Sequence, residues 1–171
     1  MKRETLNKMI ENYKILKEIS YKLENPGVFN IVVSEEEFIE NVKKIDLLYK
    51  DFWESEIEKE LLKETKFSQT LTFSENIKSE KVYLKDIIGV THPNYSYLPW
   101  IIALPLLKRF DKNFPKNEEE KEELFNKMQN NSFDEKLKLV KDDGKYYIYE
   151  GHNRIIICKC LGLEYLKADI L

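Results

Sequence analysis

The stretch YYIYEGHNRIIICKCLG, Tyr146 to Gly162, decides how this chain is read. Tyr147 and Tyr149 alternate as in a strand. A glycine follows at 151, then the polar residues His152, Asn153 and Arg154. An apolar run begins at once and predicts a helix that stops near Gly162. The first N–H groups of a helix lack partners inside it and carry partial positive charge. A glycine just before them lets an anion approach closely, and Arg154 adds a forked cation suited to phosphate oxygens. His152 and Asn153 add further donors, and Glu150 can hold a divalent ion or act as a base. A plainer reading stands beside this one. Asn153 caps the helix, His152 fills the turn, and Arg154 pairs with a surface carboxylate. Four residues are a short motif, and both readings stay open on the local pattern.

Working outward, LKLVKDDGKYYIYE predicts a hairpin turning at DDGK, and YLKADIL predicts a closing strand. KVYLKDIIG, from Lys81, predicts a short strand leading into a turn. THPNYSYLPWIIALPLLKRF predicts a buried helix broken or restarted at Pro105. NEEEKEELFNKM predicts a helix capped by Asn117, with acidic residues in its first turn. Near the start, Leu6, Met9, Ile10, Tyr13, Leu16, Ile19 and Leu23 recur at helical spacing until Asn25-Pro26-Gly27 stops them. VFNIVV predicts a small strand or an extended connection. Ser34 and Glu37 then predict a capping box opening a second helix, whose apolar stripe runs to about Leu62. Two long helices over residues 1–66 predict an antiparallel pair. The polar stretch between Lys63 and Glu80 predicts a boundary, with the second unit over 80–171.

The chain has 171 residues, a net charge of −3, ten tyrosines, nine phenylalanines and only five glycines and five prolines. A real core with short connections is expected. Lys and Glu are interspersed, as on solvated helical faces, and no basic stripe stands out, which argues against DNA as a partner. Cys158 and Cys160 are two apart in a helix and point in different directions, so no bridge between them and no zinc spacing is expected. No run is apolar and long enough for a membrane span, and the N-terminus has no signal-peptide core, so a cytoplasmic location is expected.

The run VKDDGKYYIYEGHNRIIICKCLGLEYLKADIL resembles the ParB/sulfiredoxin superfamily, whose members carry a strand, a Gly-x-x-Arg turn, a helix, a Leu-Gly and a short strand. The matching residues are Ile148, Gly151, His152, Asn153, Arg154, Leu161, Gly162 and the strand Leu166 to Leu171. With KVYLKDI taken as the opening strand, the resemblance covers residues 81–171, and it is specific over the last thirty-odd. It implies an α+β fold: a ParB/sulfiredoxin-like domain with a small mixed sheet and surrounding helices, preceded by the N-terminal helical pair. It also implies a nucleotide, ATP or CTP. Gly151 and Arg154 then grip phosphate, and His152 and Asn153 line the pocket. The turn's own residues add to this an expected Mg²⁺ held at Glu150, with Glu150 and His152 as candidate catalytic residues.

Nucleotide hydrolysis or small-molecule phosphoryl transfer would follow. His152 stands where a sulfiredoxin carries cysteine, which excludes that activity. The stretch after the turn has no Glu-Asn-x-x-Arg segment, so DNA partition by this chain alone is not expected. Two alternatives are a non-catalytic module that meets a protein partner through the N-terminal helices, and a nuclease-like DNA-processing protein. Four further residues merit attention. His92 either reaches the same pocket or is a plain loop histidine. Asp86 is either a metal or base residue or part of a turn, and Lys108 and Arg109 either contact a nucleotide or are solvated.

Overall fold

Six strands form one mixed sheet in the computed structural model, which describes residues 33–49, 59–68, 76–92 and 95–171, together with residues 7, 10–15, 17–18, 52 and 73. They are β1 (Lys66–Phe67), β2 (Lys78–Tyr83), β3 (Ile87–Val90), β4 (Lys138–Asp142), β5 (Lys145–Glu150) and β6 (Tyr165–Ile170). Their order across the sheet is β1-β3-β5-β4-β6-β2. The pairs β1–β3, β3–β5 and β4–β6 are parallel, whereas β4–β5 and β2–β6 are antiparallel. The described helices are α1 (Glu35–Leu48), α2 (Trp100–Ala103), α3 (Phe110–Asn113), α4 (Glu118–Asn130) and α5 (His152–Cys160). Short 3₁₀ turns lie at Lys59–Leu62, Leu84–Asp86 and Leu104–Leu106. The fold is α+β with a mixed sheet. Among the described residues, no helix is long and apolar enough to cross a membrane.

Local chemistry explains most element ends. Ser34 Oγ accepts the Glu37 N–H at 3.2 Å, and Asn117 Oδ1 accepts the Glu120 N–H at 2.8 Å, so both predicted caps form. At DDGK, Asp143 (φ 47°) and Gly144 (φ 75°) are both left-handed, the two-residue turn whose twist matches the strands it joins. At the end of α5 the Leu163 N–H bonds the Cys158 carbonyl at 2.9 Å and the Gly162 N–H reaches Lys159 at 3.4 Å, which satisfies the last carbonyls. Pro105 sits in the 3₁₀ turn that ends α2, where its missing N–H does least harm.

Two expectations are corrected. The helix expected to reach Leu62 ends at Leu48, and Lys59–Leu62 is a separate 3₁₀ turn. The turn expected after the strand at Lys81 is a single 3₁₀ turn, and Ile87–Val90 is a second strand beyond it. Residues 10–15 are helical; the rest of the N-terminal helix and VFNIVV lie largely outside the described residues. Tyr13 packs its ring 5.0 Å from that of Phe38 and donates to the Val33 carbonyl at 2.9 Å. Asn41 of α1 donates to the Pro105 carbonyl at 3.0 Å, and Phe38, Val42 and Ile45 share one apolar core with Leu104 and Leu106.

Every residue of α5 from Ile155 to Cys160 is buried, Lys159 included. Its Nζ donates to the carbonyls of Leu84 (2.6 Å) and Ile87 (3.1 Å) and lies 4.8 Å from the Trp100 ring centroid. The ammonium thus replaces water with two carbonyls and an aromatic face, and fastens α5 to the turn between β2 and β3. Burial pushes its pKa down to about 8, against the pull of Glu60. Cys158 and Cys160 are free and buried, and burial raises both thiols.

Gly89 allows a close approach within the sheet. A Cβ there would stand 2.5 Å from the Lys66 carbonyl oxygen and 2.6 Å from the Tyr147 ring. Gly89→Ala should therefore lower stability by about 2–4 kcal/mol in urea denaturation, since backbone must give way. Lys159 leaves a pH signature. Its folded pKa of about 8 lies below the free value of 10.5, so the unfolded chain holds the extra proton between them. Wild-type stability relative to Lys159→Met should rise from pH 8 to pH 10.5, read from urea melts across that window.

Candidate functional site at the start of the buried helix

Strand β5 ends at Glu150 and α5 begins at His152, so Gly151 must turn the chain alone. It does so at φ 94°, ψ 25°, a left-handed conformation that glycine enters freely. A Cβ there would also stand 2.5 Å from Leu137 Cδ2. The Gly151 carbonyl accepts the Ile155 N–H at 2.9 Å, the first bond of the helix. The N–H groups ahead of it have no carbonyl one turn back. They open on a cleft of 1390 Å³. Its walls come from the loop after β3, the stretch around α3, one face of α4, residues 133–138 and the turn itself. Lysines and arginines outnumber carboxylates around it, with Lys108, Arg109, Lys112 and Lys116 on one wall.

Arg154 lines the cleft and is held in place. Its guanidinium carbon lies 4.2 Å from the Phe133 ring centroid, and Nη1 donates to the Glu135 carbonyl at 3.1 Å. Its Nη2 lies 3.5 Å from where a Cβ on Gly151 would be, so the other fork of the guanidinium sits at the turn. Burial lowers its pKa, opposed by Glu135; an arginine keeps its charge under such a shift. Glu150 faces Lys138 across β4–β5 and pairs with it at 3.1 Å.

His152 lies in a cluster of rings, 5.9 Å from His92 and 6.3 Å from Tyr95 between centroids. Burial, and secondarily His92, push its pKa down to about 4, against a hydrogen bond with the Ile148 backbone. The same Ile148 carbonyl accepts the Thr91 N–H at 3.0 Å and Thr91 Oγ1 at 2.8 Å. His152 is therefore neutral at pH 7. Its Nε2 is buried without a hydrogen-bond partner. With Nδ1 donating to Ile148, Nε2 is an acceptor. Asn153 Oδ1 is likewise buried and unpartnered.

The expectation that Asn153 caps the helix fails, because Gly151 holds the capping position and Asn153 is one residue inside α5. Lys108 and Arg109 line the cleft, and His92 joins it. Asp86 does not. It ends the Leu84–Asp86 turn and pairs with Lys145 at 2.8 Å, at the opposite end of β5 from the cleft. Five residues of strand separate the two ends, roughly 17 Å. Among the described residues no group of three His, Cys, Asp or Glu side chains is placed to hold a metal ion. Sequence spacing does not show the meeting of His92 with His152. It follows from the parallel pairing of Val90 with Ile148, which sets the two strand ends side by side.

Comparison of the chain with protein-family models, with curated proteins and with solved structures gave no match.

The buried histidine sets an acid limit. Its folded pKa of about 4 lies below the free value of 6.5, so the unfolded chain takes up a proton between those values. Stability from a neutral His152 is complete above pH 6.5 and is lost as pH falls toward 4. Wild type should lose up to roughly 3 kcal/mol more than His152→Gln over this interval, measured by urea denaturation of both proteins at each pH.

Proposed function

We propose that the turn Glu150–Arg154 binds the phosphates of a nucleoside triphosphate, ATP or CTP. The observation that carries this reading is the left-handed glycine that opens α5 onto a cleft lined by eight Lys and Arg side chains and six carboxylates. Backbone N–H groups at a helix start, a guanidinium at the same turn and flanking lysines are the donors that phosphate oxygens require. The resemblance of residues 81–171 to the ParB/sulfiredoxin superfamily supports the same assignment and the same fold. Phosphate falls to the Gly151–Arg154 backbone and to Arg154. The unpartnered Nε2 and Oδ1 of His152 and Asn153 are acceptors, so they suit a ligand hydroxyl or a water rather than a phosphate oxygen.

Magnesium that arrives on nucleotide phosphates takes one or two protein carboxylates. Glu150 is the carboxylate of the turn and fits that role once it yields its pairing with Lys138. The ion would neutralise phosphate charge. In hydrolysis or phosphoryl transfer, this chain's own part is to position and to stabilise charge. Arg154 and the backbone hold the phosphates. Neutral His152 buries its acceptor Nε2, so it would orient an attacking water or hydroxyl only after the wall beside it shifts to admit one.

The test is a thermal-shift panel of ATP, ADP, CTP and GTP, each with and without Mg²⁺, on wild type, Arg154→Lys and Arg154→Ala. Ligand at a hundredfold over its dissociation constant should add about 2.7 kcal/mol to the wild type. Arg154→Ala should lose the shift, and Arg154→Lys should retain part of it. A wild type that shifts with no nucleotide overturns the proposal. An Arg154→Ala variant that melts far lower without ligand assigns Arg154 to holding residues 133–135 instead.

A further inference from the structure

The phosphate reading leaves open where the base of a nucleotide would rest. The carbocyclic rings that line the cleft, among the described residues, are Tyr95, Phe114, Phe133 and Tyr149. Tyr95 and Phe114 are buried, the latter stacked on Phe110 at 4.5 Å. Phe133 has a face covered by the Arg154 guanidinium. The His92 imidazole sits against His152 and Tyr95. Tyr149 differs from all of these. It is 38% exposed, and its contact is edge-to-face with Phe73, itself 53% exposed, at 5.5 Å and 81°.

We propose that Tyr149, braced by Phe73, is the seat of the nucleobase in this cleft, an inference that rests on the phosphate reading of the turn. A base has an apolar face that gains by stacking on an aromatic ring, and every base has such a face. Much of the cleft wall is charged, and its lysines and arginines suit the phosphates. Tyr149 supplies the flat apolar surface the other half of a nucleotide needs. It stands two residues before Gly151 on an extended strand, about 7 Å away, within the span of a nucleoside. The edge contact with Phe73 fixes the ring before a ligand arrives, which lowers the ordering cost of binding.

Calorimetric titrations of ATP, CTP and inorganic tripolyphosphate into wild type, Tyr149→Ala and Tyr149→Phe test this. Nucleotide should bind wild type more tightly than tripolyphosphate. Tyr149→Ala should weaken nucleotide binding about tenfold and leave tripolyphosphate unchanged, and Tyr149→Phe should keep the wild-type affinity. Tripolyphosphate that binds as well as the nucleotides overturns the base seat and spares the phosphate site. An equal loss for nucleotide and tripolyphosphate in Tyr149→Ala also overturns it, because the ring would then be shaping the turn. A wild type that binds none of the three removes both proposals.

Discussion

A helix with no polar face can exist only if it is surrounded, and α5 is such a helix. From Ile155 to Cys160 each residue is buried. Strand β5 flanks it on one side, and α2, α3 and the Leu104–Leu106 turn pack around the rest. Burial at this density excludes water from all but the helix ends. The C-terminal end closes on itself through Gly162 and Leu163. The N-terminal end has no such closure, since Gly151 offers no side chain to cap it. The one polar opening of the most buried element is therefore the place where the cleft lies.

The sequence makes the local features of this arrangement legible and hides the non-local ones. Ser34, Asn117, Asp143-Gly144 and Gly162 each act on neighbours a few residues away, and each does what its chemistry predicts. The apolar stripe overruns the end of α1 at Leu48, and most of its continuation over 50–58 lies outside the described residues. Tyr49 is already outside helical backbone geometry, at φ −126° and ψ 81°. Lys159 looks like a surface residue until its flanks are weighed. A lysine between two cysteines, after three isoleucines, has no solvated side to face, and that was the available signal. Nothing in the spacing announces that His92 meets His152, because sixty residues separate them and a parallel strand pair joins them. The five turn residues were visible as a group, but their individual roles required side-chain directions.

Those directions divide the turn by polarity of hydrogen bonding. Gly151 and Arg154 present N–H groups, whereas His152 and Asn153 each bury an acceptor atom without a partner. A buried acceptor left unmet costs on the order of 1–3 kcal/mol. Structures retain such atoms where a water or a ligand meets them, and here both sit on adjacent residues that line the cleft. A purely anionic ligand would leave both unmet. A ligand with anionic and hydroxyl groups, such as the nucleotide proposed above, would satisfy both halves once the buried acceptors are reached.

Arg154 raises the objection that a residue already engaged cannot also bind. A guanidinium carries five N–H donors in a rigid fork. The Glu135 carbonyl takes one at Nη1, and the Phe133 ring takes the face of the group, which fixes its plane. Nη2 remains at the turn beside Gly151. Anchoring and binding therefore use different parts of one side chain. An arginine held this way would lose little freedom on meeting an anion, so its two structural contacts are compatible with the proposed binding role instead of competing with it.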